Sequence, residues 1–300
     1  MFDKILGNDK IKSQLKQAVD LRKTSHSYLF LGTSGIGKKM IAKEFAKMIL
    51  CESEEKYCNH CKSCIEFDSN NNPDFSLIEP DGTSIKIEQI RQIQKKIIEA
   101  PIISKNKVYI IDDANLMTTE AQNCLLKTLE EPPEFVTIIL IGSKESSFLS
   151  TIKSRCTIIK FQEIENEEIK KYLSINYGIN NISEEMLEIF GGSIGKAEDL
   201  KDKQELYTSI IKIIENIKLL ELPDVLKKAD IIYKSQEDKN DILEAINVIL
   251  FKMSKQDIRY LNCIDIVEDT VKRLNANANY NMSIDNMLFN IWEEMHWKIL

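Results

Sequence analysis

Apolar positions in the first half of the chain fall into short, almost unbroken runs at residues 28–31, 75–78, 108–111, 136–141 and 157–161. Continuous rather than alternating runs are what strands covered on both faces require. Between them the period changes. Ile90, Ile93 and Ile97 recur at i, i+3 and i+7, with Arg91, Lys95 and Lys96 on the other faces, which predicts an amphipathic helix. Thr119 and Gln122 have the spacing of a capping box and lead into Cys124-Leu125-Leu126-Lys127-Thr128-Leu129, which stops at Pro132-Pro133. This alternation predicts an α/β domain with a mostly parallel sheet.

After Phe161 the strand signals disappear. An acidic stretch, residues 163–168, opens a helix through Lys171-Tyr172-Leu173, as the helix dipole favours, and Gly191-Gly192 then breaks the chain. From about Glu205, Ile, Leu and charged residues recur at helical spacing, with breaks near Pro223 and in the Asn-rich stretch 275–281. The expected organisation is an α/β domain at 1–163, a small helical domain at 164–204 and a helical C-terminal domain at 205–300.

Composition narrows the function. The 300 residues are 43% hydrophobic and 29% charged, an ordinary globular balance, with a net charge of −7. That acidity argues against a free-standing, general nucleic-acid binder, which needs a clustered basic surface. No apolar run reaches the ~18–20 residues that span a bilayer, and the first six residues lack a signal-peptide layout, so the expectation is a soluble, cytoplasmic protein without membrane contact. Four of the seven cysteines lie within 51–64, and a reducing compartment turns such a cluster toward metal. Cys124, Cys156 and Cys263 are expected to be small buried apolar residues.

The apolar run at 28–31 passes directly into Gly32-Thr33-Ser34-Gly35-Ile36-Gly37-Lys38-Lys39. A strand, a glycine-rich turn and a helix start form the context of a phosphate-binding loop. Gly32, Gly35 and Gly37 let backbone N–H groups point inward, and Lys38 would reach the phosphates. The last position should be Ser or Thr, whose hydroxyl binds Mg²⁺, but here it is Lys39. An ammonium cannot ligate a cation. The loop can hold ATP or ADP, but it provides poorly for Mg²⁺. Asp112, closing the run 108–111, is the acidic residue of the second half of such a site. Asp113 follows where many such ATPases place a Glu, one methylene longer. The alternative is that the two aspartates cap the following helix near Ala114-Asn115.

Cys51, Cys58, Cys61 and Cys64 have the spacing C-x6-C-x2-C-x2-C. Four thiolates close a tetrahedral shell around Zn²⁺ with no open position, which makes a structural site. An iron–sulfur cluster and a redox dithiol remain open alternatives, and His60 could replace one cysteine.

The phosphate loop, Ser25-His26-Ser27-Tyr28-Leu29-Phe30, the four-Cys insertion, Asn72-Pro73-Asp74, Glu79-Pro80-Asp81-Gly82, Leu125-Leu126-Lys127-Thr128-Leu129-Glu130-Glu131-Pro132 and Ser154-Arg155-Cys156 together resemble the AAA+ clamp-loader family of bacterial DNA polymerase III. The resemblance covers residues 1–200 and fades beyond about Glu205. It implies that the three domains are an AAA+ domain, a lid and an oligomerisation collar. It also implies that Arg155 is an arginine finger acting in trans on nucleotide held by a neighbour. The partners it implies are a delta subunit and gamma/tau ATPases in a ring-like hetero-pentamer, which places the sliding clamp on primer–template DNA. Polymerase activity would belong to the holoenzyme and not to this chain.

The family's active ATPases carry Ser or Thr at Lys39, Glu at Asp113 and a nucleotide-sensing arginine in a run that here reads Gly192-Ser193-Ile194-Gly195. These three departures point to a hydrolysis-deficient member. Ser143 falls near the family's sensor-1 polar position, or is an ordinary turn serine. The alternatives are an active gamma/tau-type ATPase and, in a different class, a zinc-containing nucleotide-sensing regulator outside replication.

Overall fold

The computed structural model describes residues 2, 5–235 and 239–296. They form two compact units, Met1–Tyr172 with Gly192–Lys196, and Leu173–Gly191 with Ala197–Leu300.

The first unit is built on five strands: β1 (Ser27–Leu31), β2 (Phe75–Ile78), β3 (Lys107–Ile111), β4 (Val136–Gly142) and β5 (Thr157–Lys160). All pairings are parallel and the spatial order is β2-β3-β4-β1-β5. The helices between them are α1 (Asp9–Asp20), α2 (Lys38–Leu50), α3 (Lys62–Asp68), α4 (Ile87–Ile97), α5 (Thr119–Glu130) and α6 (Ser150–Lys153). Side chains alternate across the sheet. Phe30, Val108, Ile110, Ile139 and Ile141 pack with Ile41, Phe45 and Met48 of α2 and Leu15 and Val19 of α1. Leu29, Leu31, Tyr109, Ile111, Ile138 and Leu140 pack with Ile90, Ile93 and Ile97 of α4 and with Leu125 and Leu129 of α5. Each face thus buries several large side chains, worth about 1.5–3 kcal/mol apiece.

Burial on both faces holds for β1, β3 and β4, whose residues are all buried. It fails for β2, which is half-buried, and for β5, which is mostly exposed, because these are the two sheet edges. The last strand also stops at Lys160, although Phe161 still donates its N–H to Leu31 O at 2.7 Å.

The expected capping box does not form, and the N-cap lies one residue earlier. Thr118, not Thr119, caps α5, its side chain accepting from Ala121 N. Gln122 is buried and used elsewhere: Nε2 donates to Ser147 O at 2.9 Å, and Oε1 accepts from Leu149 N at 2.9 Å. Cys124 likewise departs from expectation. It is half-buried, and its thiol donates to Gln94 Oε1 at 3.2 Å, tying α5 to α4. Cys156 is half-buried too, and Cys263 is fully buried as expected.

Helix α7 (Asn166–Tyr177) runs across the boundary of the two units and α9 (Ile194–Leu200) does the same; between them lies α8 (Glu184–Phe190). The rest of the second unit is α10 (Gln204–Glu215), α11 (Leu222–Lys228), α12 (Asp230–Tyr233), α13 (Lys239–Ser254), α14 (Arg259–Asn275) and α15 (Tyr280–His296). Helix α13 packs on α10 and α14, and α14 on α15. Lys252 of α13 bridges Glu185 and Glu188 of α8. No helix among the described residues is long and apolar enough to cross a membrane.

Candidate nucleotide site and metal centre

In a parallel sheet the crevice at the carboxyl ends of the strands is the natural ligand position. Here those ends carry Gly32–Gly37 after β1, Ser143 after β4 and Asp112–Asp113 after β3. The glycines are structurally required. Gly35 and Gly37 have φ of 75° and 90°, and Gly37 opens α2. Lys38 is buried, and its ammonium donates to Gly32 O at 2.6 Å and Thr33 O at 2.7 Å, so it closes the loop on itself. Burial lowers the Lys38 pKa, against the raising effect of Asp113 and Asp112.

Lys39 sits where the missing hydroxyl would be needed. Its ammonium pairs with Asp112 Oδ2 at 2.8 Å and Glu79 Oε1 at 2.5 Å. The strand register explains why both carboxylates are there. Ile78 pairs with Ile111, so the next residues, Glu79 and Asp112, leave the sheet side by side. Two adjacent carboxylates repel, and a cation between them removes the cost. Burial works to lower the Lys39 pKa, but hydrogen bonds to Asp112 and Glu79 outweigh it and raise it; the Lys39 bond in turn holds Glu79 below its ordinary value. A magnesium ion does not fit this donor set. The carboxylate it would use already holds an ammonium, and the hydroxyl ligand is absent.

Asp113 takes a left-handed conformation (φ 45°) and precedes the turn Ala114–Leu116, making no side-chain cap. Burial and the neighbouring Asp112 raise its pKa. Ser143 is exposed, and its backbone N–H donates to Asn115 Oδ1 at 3.1 Å. The Gly192–Gly195 run packs against the phosphate loop. Gly195 N donates to Gly35 O at 3.0 Å, and a Cβ on Gly195 would lie 3.0 Å from Gly35 Cα.

Arg155 lies in the turn between α6 and β5. Its guanidinium pairs with Glu130 Oε1 at 2.5 Å and donates to Thr151 O at 3.0 Å and Ser154 Oγ at 3.3 Å. It is therefore held against its own chain, one third exposed.

The four cysteines converge. Cys51 follows α2, Cys58 and Cys61 lie in the connecting loop, Cys64 is in α3, and all four sulfurs lie within 4.8 Å of one another. Cys51 Sγ is 3.5 Å from Cys58 Sγ and 4.0 Å from Cys61 Sγ, and Cys58 Sγ is 4.0 Å from Cys64 Sγ. A tetrahedron with metal–sulfur bonds of 2.3 Å has edges of about 3.8 Å, so the donor set fits a tetrahedral metal. Burial acts to raise the Cys58 pKa, but the N–H groups of His60 and Cys61 outweigh it and bring it to about 6. Burial raises Cys51 and Cys64. A cation among the sulfurs would allow all four to be thiolates. His60 is exposed, and its Nδ1 lies 2.6 Å from Cys58 O, outside the sulfur cluster.

Sequence reasoning missed how this module is anchored. Asp74 is buried and its carboxylate accepts backbone N–H groups from Ile102 (2.7 Å), Ile103 (2.8 Å) and Ser104 (2.7 Å). Ser104 Oγ donates to Leu50 O at 2.9 Å and lies 2.9 Å from Ser63 Oγ, next to Cys51 and Cys64 respectively. The sequence marked Asn72-Pro73-Asp74 as one of the motifs carrying the resemblance, but nothing in it gave the acid a role.

Comparison with known proteins agrees with this architecture. Residues 7–165 match the family described as DNA polymerase III, delta subunit. The chain is 33% identical over 212 residues to DNA polymerase III subunit delta' of Bacillus subtilis (strain 168), covering 70% of this chain and 64% of that protein. It is 32% identical over 275 residues to DNA polymerase III subunit gamma of Buchnera aphidicola subsp. Schizaphis graminum (strain Sg), covering 88% of this chain and 74% of that one. The chain thus spans just under two thirds of the Bacillus delta' protein. In fold it is similar to a DNA polymerase III gamma-subunit-related protein from Thermotoga maritima, with a TM-score of 0.53, 18% identity and coverage of 94% of this chain and 100% of that one. With its phosphate loop on a parallel sheet and its four-Cys insertion, the chain belongs to the DNA polymerase III delta-subunit family, and its relatives include delta', gamma and tau subunits.

Proposed function

We propose that this chain is the delta' subunit of a cytoplasmic clamp loader and does not itself hydrolyse ATP. In this reading it joins a delta subunit and gamma/tau ATPases in a hetero-pentamer that places the sliding clamp on primed DNA. The observation that carries the reading is the Lys39 ammonium on Asp112 and Glu79, which occupies the carboxylate a catalytic metal would need. Arg155 supplies a permanently charged, planar guanidinium to nucleotide bound by a neighbour, where charge develops on transferring phosphoryl oxygens. For that it must leave Glu130. Cys51, Cys58, Cys61 and Cys64 hold a structural Zn²⁺ that fixes the polar segment between α2 and β2. The lid and collar boundaries at 164–204 and 205–300 belong to the same proposal, and exposed Phe251, Ile258 and Met282 suit a collar that packs on partner subunits.

The test is steady-state ATP turnover by the purified chain, with Lys38→Ala as the contamination control. No turnover above that control is expected. Clear Lys38-dependent turnover would overturn the reading in favour of an active gamma/tau-type ATPase, which the 88% coverage by the Buchnera gamma subunit favours.

A further inference from the structure

A divalent cation in a phosphate-loop site has two roles: it neutralises the carboxylates at the strand ends and it compensates the charge of the bound phosphates. In this chain the first role is already filled. Glu79, Asp112 and Asp113 are three carboxylates facing Lys38 and Lys39, and Lys39 touches two of them. Lys39 is also placed for the second role, since it follows Lys38 in the first turn of α2, beside the loop that would cradle phosphate.

We propose that Lys39 is the resident counter-ion of the nucleotide site, and that a nucleoside polyphosphate entering the loop is bound as its metal-free anion. This deepens the non-hydrolysing reading and rests on it for the identity of the loop. A magnesium ion brought in with the nucleotide would face an ammonium already 2.8 Å from its carboxylate ligand, with no hydroxyl to complete its shell. The metal-free anion needs no place on Asp112: it finds the loop N–H groups, the start of α2 and two lysines. Lys38 exchanges its bonds to Gly32 O and Thr33 O for the phosphate, while Lys39 stays on Asp112 and Glu79.

The experiment is calorimetric titration of the zinc-loaded, full-length chain with ADP, once with EDTA-treated ligand and once with excess Mg²⁺. Zinc content is checked before and after. The expected result is a Kd that agrees within about twofold in the two conditions and binding that is lost in Lys38→Ala. In Lys39→Ser, metal-free binding should weaken at least tenfold, about 1.4 kcal/mol, and Mg²⁺ should recover it. The Lys39 side chain is 37% exposed, so its replacement leaves the core intact. Binding that tightens tenfold or more with Mg²⁺ in the native chain would overturn the proposal. So would absence of ADP binding in both conditions, or a Lys39→Ser chain that binds metal-free ADP as well as the native one. Failure of the non-hydrolysing reading would show separately, as ATP turnover.

Discussion

Replacing Asp74 by Asn tests whether the four-Cys module is held by the buried network beneath it. The aspartate is 2% exposed and its two oxygens receive three backbone N–H groups, from Ile102 on one side and from Ile103 and Ser104 on the other. Hydrogen bonds to a charged acceptor are worth about 1.5–3 kcal/mol each. Asparagine keeps one carbonyl oxygen. If that oxygen serves Ile103 and Ser104, the amide NH₂ is turned onto the Ile102 N–H, which loses its acceptor, and the other two bonds become neutral ones. The cost is about 2–4 kcal/mol, a large share of the ~5–15 kcal/mol that holds a typical domain. The disturbance also has a path to the metal centre. Asp74 N donates to Asn72 Oδ1, Asn72 Nδ2 donates to Ser63 O and Oγ, and Ser104 binds Leu50 O, so the residues beside Cys51 and Cys64 share this network. Urea unfolding should show a lower midpoint for Asp74→Asn, and the amides of 102–104 should exchange faster with deuterium. A thiol-reactive dye should release the metal faster as well. A change below about 0.5 kcal/mol with unchanged exchange at 102–104 would refute the reasoning.

Elemental analysis should find one Zn per chain, and chelation should expose residues 52–72 to protease, because structural zinc contributes on the order of 10–16 kcal/mol to such modules; iron, or an unchanged digest after chelation, would contradict this. In the reconstituted complex, Arg155→Ala should lower DNA-stimulated ATPase, by about 10³-fold or more at the one site it serves, the scale of arginine fingers. Glu130→Gln should leave stability within about 1 kcal/mol, as for an exposed ion pair, and raise the ATPase by freeing the finger; an unaffected Arg155→Ala rate would remove the finger assignment. Asp257 is held below its ordinary pKa by its hydrogen bonds to Arg259. A depressed carboxylate adds stability above its unfolded pKa, about 3.9, and loses it as pH falls through the folded value. The second unit should therefore weaken with acid below about pH 4, more in the native chain than in Asp257→Asn, and identical acid profiles would count against it.

Much of the fold was legible because a parallel sheet leaves a strong imprint. Each strand is a short apolar run, and all five appear within about a residue of expectation at either end. What failed were features that depend on a distant partner. Thr118 and Thr119 both look like caps, and the choice was decided by Gln122 being drawn to Ser147 and Leu149, some 25 residues away in sequence. Burial on both faces failed at β2 and β5 because strand order, not composition, decides which strands are edges. At the site, the phosphate loop, Asp112 and the four cysteines were visible as motifs. Glu79 was visible only as one residue of a Glu-Pro-Asp-Gly stretch. Its role follows from β2 and β3 lying side by side in a register that ends both at an acid. Asp74 was hidden for the same reason: the backbone groups it satisfies lie 28–30 residues further on.

On the proposed non-hydrolysing reading, the departures from an active site differ in kind, and that bears on how hydrolysis could be introduced. Lys39→Ser alone would remove the only cation that touches both Glu79 and Asp112 among the described residues, so the vacated position would favour a divalent ion. Asp113→Glu adds one methylene at an exposed position and meets little steric resistance, although the left-handed backbone there suits Asp better than Glu. Gly195→Arg is different. Its Cβ would lie 3.0 Å from Gly35 Cα and 3.3 Å from Gly35 O, both backbone atoms. Gly35 is pressed from the same side by Ser193, whose Oγ lies 2.2 Å from its own Cβ position, and its φ of 75° is set by the loop. The two glycines are a matched pair that brings the 192–195 run onto the phosphate loop. A sensing arginine therefore requires the run to move away from the loop, whereas the charge at Lys39 can change in place. On that reading the charge at Lys39 is reversible by one substitution, whereas the close approach at Gly195 is built into the backbone.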